Sequence, residues 1–142
     1  MSGFLLDTNC ISELVSIMPD PRVLAWMDAA DERNLYLSAL TLGEIRKGIV
    51  TLAEGKRRAQ LEAWLEIDLR NRFAGRILPV DAAVADRWGM LAGEMKRKGK
   101  PMPAVDAMIA ATAIHHKLTV VSRNVDDFGN AEVSLFNPWK TA

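Results

Sequence analysis

Short apolar runs alternate with helix-patterned stretches along this chain, and that alternation narrows the possible folds more than any other feature. Residues 4–6, 35–39, 76–80 and 118–122 read as strands, with a short fifth at 133–136. The stretches between them carry apolar residues at helical spacing. Asp20-Pro21 places a capping residue and then a proline ahead of Val23, Leu24 and Met27, a helix start. A helix is expected over about 41–52, and a longer one after Gly55 with Leu61, Trp64, Leu65, Leu69 and Phe73 at helical spacing. Two more are expected over 82–97, stopped by Gly99 and Pro101, and over 105–116. Strands that alternate with helices build a parallel sheet covered on both faces. The expected class is α/β.

Composition excludes several alternatives. At 142 residues the chain fits one domain, 1–142, with enough length to bury a core. Its longest apolar runs, 82–85 and 108–114, are far shorter than a membrane span, so no membrane partner is expected. The N-terminus carries no basic leader pattern, and a cytoplasmic location is the expectation. The single cysteine, Cys10, excludes an internal disulfide and a multi-cysteine zinc site. Zero net charge hides an uneven distribution: residues 1–44 hold seven acids and two bases, whereas 45–100 hold thirteen bases and seven acids. That is compatible with an acidic site beside a basic surface for a polyanion, and equally with solvated helix faces.

The carboxylates have both local and collective readings. Asp7 directly follows the first strand, where a buried acid needs a partner, and it could cap a short helix through Ile11 to Val15. Thr41 and Glu44 form T-x-x-E, a capping box. Asp106 could answer a helix dipole, and Asp126 and Asp127 could make a turn. Taken together, however, these acids follow strands or open helices, which in a parallel sheet is one edge. Ligands of open α/β sheets bind there. Carboxylates that converge repel one another, and either a divalent cation or a raised pKa relieves the repulsion; oxygen ligands favour Mg²⁺ or Mn²⁺. Such a site suits phosphodiester hydrolysis.

Four motifs in register, L-L-D-T-N, S-x-L-T-L-G-E-I-R-K-G, P-A-V-D-A-M-I-A-A-T-A and V-V-S-R-N-V-D-D-F, resemble those of PIN-domain ribonucleases, specifically the VapC-type toxins near the FitB-like subgroup. The resemblance spans essentially the whole chain. It implies a central five-stranded, mostly parallel sheet flanked by helices, and a Mg²⁺- or Mn²⁺-dependent endoribonuclease acting as a homodimer on RNA. It also implies a small VapB-type antitoxin that binds operator DNA at one end and covers the active site with its tail. The family's acids map onto Asp7, Glu44 and Asp106, with Asp7 and Asp106 as metal ligands and Glu44 on the attacking water. Asn9 matches a supporting polar residue and Ser122 a strand-end hydroxyl. Many relatives carry Asp where Asn124 stands, so either Asp127 takes the fourth place or three acids suffice. Lys96, Arg97, Lys98, Lys100, Arg46 and Lys47 are candidates for RNA backbone contacts.

Three rivals are weighed against that reading. A phospho-acceptor receiver domain needs an acceptor Asp ending strand three, but Asp81 reads better as a helix cap. A dinucleotide-binding module needs a glycine-rich turn where D-T-N-C stands. A non-catalytic α/β binding protein of the same fold, using its acids only structurally, is the alternative function.

Overall fold

The computed structural model describes residues 3–129 and 131–140. Strand β1 (Gly3–Leu6) lies at the centre, with β2 (Leu35–Ser38) on one side and β4 (Leu118–Val121) on the other. The outer strands are β3 (Ile77–Leu78) and β5 (Leu135–Phe136), giving the order β3-β2-β1-β4-β5 with every pairing parallel. The chain therefore builds outward from β1 to β3, then returns to the other side of β1. The order reverses between β1 and β4, where ligands of such sheets bind.

Alternation along each strand divides the core in two. Leu6, Leu35, Leu37 and Val121 face a layer made by α2 (Pro21–Ala29), α3 (Ala39–Val50) and the long helix that follows. Leu5 and Val120 face the opposite layer, made by α6 (Ala82–Arg97) and α7 (Ala104–His116). The side-chain period of two in a strand is what sends neighbours to opposite layers. Buried Ala107, Ala110, Ala111 and Ala113 line α7 with small side chains. Gly3 allows a similar close approach: a Cβ there would sit 2.7 Å from Leu118 Cδ2, which would have to move. No helix among the described residues is long and apolar enough to cross a membrane.

Several local expectations shift. Strand two ends at Ser38, not at residue 39, because the Ser38 hydroxyl accepts from the Leu40 N–H at 3.1 Å and starts α3 there. Thr41 consequently lies inside the first turn, buried, with Oγ1 unpartnered, so the expected Thr41–Glu44 capping box does not form. The helix after Gly55 runs as α4 (Lys56–Ala63), a π-helical stretch Trp64–Leu69, and α5 (Arg70–Arg72). Its Leu65 and Leu69 are core, with Leu61 and Trp64 packed against them. Strand five is shorter than 133–136. Asp81 does cap α6, accepting from the Val84 N–H at 2.9 Å.

Candidate active site

Every candidate acid emerges at the carboxyl edge of the sheet. Asp7 follows β1 and continues its pairing, its N–H donating to Val121 C=O at 2.9 Å. It is only 7% exposed. Oδ1 accepts from the Thr8 N–H at 2.9 Å, which caps α1 (Thr8–Ser12), and Oδ2 accepts from the Ser122 hydroxyl at 2.8 Å. The cap is therefore real, and it uses one oxygen while a residue 115 positions away holds the other. Ser122, fully buried, also accepts from Asn9 Nδ2 at 3.2 Å and from the Asn124 N–H at 3.0 Å. Asn9 Oδ1 in turn accepts from the Arg123 N–H at 3.3 Å. Ser122 thus links Asn9 to Asp7 in one hydrogen-bonded chain.

Glu44 stands one turn into α3, half-buried, and its Oε1 accepts from the Thr8 hydroxyl at 2.5 Å. Asp106 lies in the first turn of α7, whose start at Pro103 has no side-chain cap. Asp127 sits in the 3₁₀ turn Val125–Phe128, its N–H bonded to Asn124 C=O at 3.0 Å.

Electrostatics separates a site from a collection of caps. Burial pushes the Asp7 carboxyl up; the Ser122 and Thr8 bonds pull it down, and the charges of Glu44 and Asp127 add to the rise. Asp106 is pushed up to about 6, first by burial and then by the charges of Asp7, Asp127 and Glu44. An acid serving only a helix dipole has its charged form favoured. At Asp106 the shift has the opposite sign, upward, with burial its larger cause and the neighbouring charges the smaller. Asp127, not Asp126, is the acid of the turn that Asp7 and Asp106 both feel.

The donors are all oxygen, which suits a hard divalent ion. Among the described residues no group of three or more His, Cys, Asp or Glu side chains stands ready to hold a metal.

The bases sort differently from the sequence expectation. Arg46 is engaged, 2.8 Å from Glu66 and 3.8 Å from Glu62, because α3 packs beside α4. Lys47, Lys96, Arg97, Lys98 and Lys100 form no ion pair among the described residues. Two contributors were not singled out from sequence. Thr8 is visible there only as the middle residue of D-T-N. Arg123, exposed, lies with its guanidinium 5.9 Å over the Trp139 ring.

The family of the PIN domain matches residues 4–133. The chain belongs to the PIN-domain family. This PIN domain is 44% identical over 135 residues to Toxin FitB of Neisseria gonorrhoeae, covering 95% of this chain and 97% of that protein. It is 41% identical over 138 residues to VapC ribonuclease Y4jK of Sinorhizobium fredii, covering 97% and 99%. Among solved structures, FitAB bound to an IR36 DNA fragment matches with a TM-score of 0.92 and 42% identity, over 98% of this chain and 97% of that one. The five-stranded parallel sheet is thus the fold that the motifs implied.

Proposed function

We propose that this PIN domain is a Mg²⁺- or Mn²⁺-dependent endoribonuclease, the toxin of a toxin–antitoxin pair. One observation carries the proposal: Asp7, Glu44, Asp106 and Asp127 lie together at the carboxyl edge of the sheet, where burial first and then the charges of Asp7, Asp127 and Glu44 raise Asp106 to about 6. Relatedness to a toxin and a VapC ribonuclease over nearly the whole chain supports the same reading.

Asp7 and Asp106 would hold the ion, with Asp127 as the fourth acid through water and Asn124 carrying no charge. A bound divalent ion supplies charge neutralisation at a scissile phosphate and a more acidic water. Glu44 orients the attacking water and accepts its proton. Ser122, itself held by Asn9, fixes Asp7, so that its carboxylate need not reorganise during reaction. Lys47 and the unpaired bases at 96–100 neutralise RNA phosphates on the approach, and Arg46, already paired, is withdrawn from that role.

A VapB-type antitoxin is the proposed partner, with the complex binding operator DNA, as the FitAB relative binds a DNA fragment. An arginine fits the plug of an acidic pocket, since its planar fork bonds two carboxylates. A homodimer in the cytoplasm completes the reading. The direct test is RNA cleavage with Mn²⁺ and with chelator. Asp7→Asn and Asp106→Asn are each expected to lose cleavage by orders of magnitude while keeping native circular dichroism. Near-parental cleavage by either variant at saturating Mn²⁺ would remove that residue from the ligand set.

A further inference from the structure

Glu44 takes its hydrogen bond from another helix. Among the described residues, its side chain makes one hydrogen bond, from Thr8 Oγ1 to Oε1 at 2.5 Å, and no ion pair. The bond joins α1 to α3 across 36 residues of sequence. Bonds from a hydroxyl to a charged carboxylate are short and about twice as strong as neutral ones.

Half-buried Glu44 borders open space. On one side opens a groove of about 660 Å³, lined by Leu40, Gly43, Lys47, Val80 and Val105. On the other lies a groove of about 200 Å³, lined by Ser12, Val15, Ile49 and Trp64. Glu44 borders both. Both spaces lie within reach of its flexible side chain, and the hydrogen bond seen on it comes from the Thr8 hydroxyl. Thr8 is itself well directed: its β-branched side chain has few rotamers, and its backbone is fixed by the Asp7 cap. As the first residue of α1 it has no earlier helical turn whose carbonyl would compete for the hydroxyl.

We propose that Thr8 is a positioning residue for Glu44, its hydroxyl holding the carboxylate on the ridge between the two grooves with Oε1 occupied and Oε2 left for the water. Adjacent residues of one strand-to-helix turn thus serve two acids, Asp7 directly and Glu44 through Thr8. The catalytic consequence rests on the nuclease reading above; the contact itself does not.

Two variants separate the hydroxyl from the shape. Thr8→Val keeps the branched outline and removes the donor, whereas Thr8→Ser keeps the donor and removes the methyl. Cleavage of a fluorogenic RNA oligonucleotide library in Mn²⁺, followed on its best-cleaved member, gives kcat and KM. Nuclear magnetic resonance of the metal-free protein gives the Thr8 hydroxyl proton and the Glu44 rotamer. Misplacing a catalytic group by about 1 Å costs up to about 100-fold, so Thr8→Val is expected to lower kcat about 10- to 100-fold. KM should stay within about threefold, and Thr8→Ser should stay within about threefold of the parent, since a retained donor preserves the alignment. The parent should show a slowly exchanging Thr8 hydroxyl proton near Glu44, and Glu44 should become rotamer-averaged in Thr8→Val. Parental kcat in Thr8→Val overturns the proposal, and so do equal losses in Thr8→Val and Thr8→Ser, which mean packing and not positioning. If the parent cleaves no member of the library, the nuclease reading fails and the resonance data decide alone. An unchanged Glu44 rotamer in Thr8→Val then overturns the proposal, and a released one upholds the contact.

Discussion

Ser122→Ala deletes one oxygen atom and disconnects three groups. The Ser122 hydroxyl donates to Asp7 Oδ2 at 2.8 Å and accepts from Asn9 Nδ2 and the Asn124 N–H at 3.2 and 3.0 Å. The three do not suffer equally. Asn124 is exposed and Asn9 half-buried, so water replaces much of what each loses. Asp7 is 7% exposed and cannot recruit water easily. A hydrogen bond to a charged group contributes about 1.5–3 kcal/mol, which puts the total loss at about 2 kcal/mol in the metal-free protein above neutral pH. For a chain of this length that corresponds to about 6 °C in melting temperature. The pH dependence gives a second check. Asp7 is an acid whose folded pKa is raised above its ordinary value of 3.8, so the folded state binds its proton more tightly. Stability therefore falls as pH rises from the unfolded value through the folded one. The Ser122 bond opposes that rise. Without it the folded pKa climbs further, the decline extends to higher pH, and the deficit of Ser122→Ala grows with pH. Urea denaturation in chelator at pH 5 and pH 8 measures both. A loss below about 0.5 kcal/mol at pH 8, far under the range for a charged bond, or a deficit independent of pH, would refute the assignment of Ser122 as the support of an ionised Asp7.

Asp106, raised to about 6, should stabilise the metal-free protein as pH falls from 7.5 toward 5, an effect absent in Asp106→Asn. Because the group is partly solvated, the difference should stay below about 1 kcal/mol, read from paired melts in chelator; equal pH profiles for parent and variant would contradict the raised pKa. Asp127→Ala should weaken Mn²⁺ binding by calorimetry more than Asn124→Ala, since the charge felt by Asp7 and Asp106 is on Asp127. The reverse order would place the amide among the ligands. Thr41→Val should cost nothing or stabilise by up to about 1 kcal/mol, because it exchanges a buried, unpartnered hydroxyl for a methyl. A clear loss in denaturant midpoint would mean that the hydroxyl is satisfied in solution.

The α/β class and the edge that carries the acids were determined by the sequence alone, because both follow from short-range patterns. Helical spacing, caps such as Asp20-Pro21 and Asp81, and carboxylates placed just after strands act within a few residues. Even Asp7 was legible, since an acid ending an apolar strand has few inexpensive fates. Whatever spans long separations was decided by the tertiary structure. The T-x-x-E spacing at Thr41 and Glu44 reads as a capping box, yet Ser38 starts the helix earlier and Glu44 turns to Thr8 instead. Arg46 looks available beside Glu44 until α4 and the π-helical stretch after it bring Glu62 and Glu66 against it. In sequence Asp127 is preferred over Asn124 only for its charge; the 3₁₀ turn after β4 is what carries that charge within reach of both Asp7 and Asp106. Ser122 meets Asp7 only because the strand order reverses between β1 and β4, setting residues 115 positions apart side by side. Local patterns fix where a side chain leaves the backbone, but crossover connections fix what it meets, and desolvation and charge respond to the meeting.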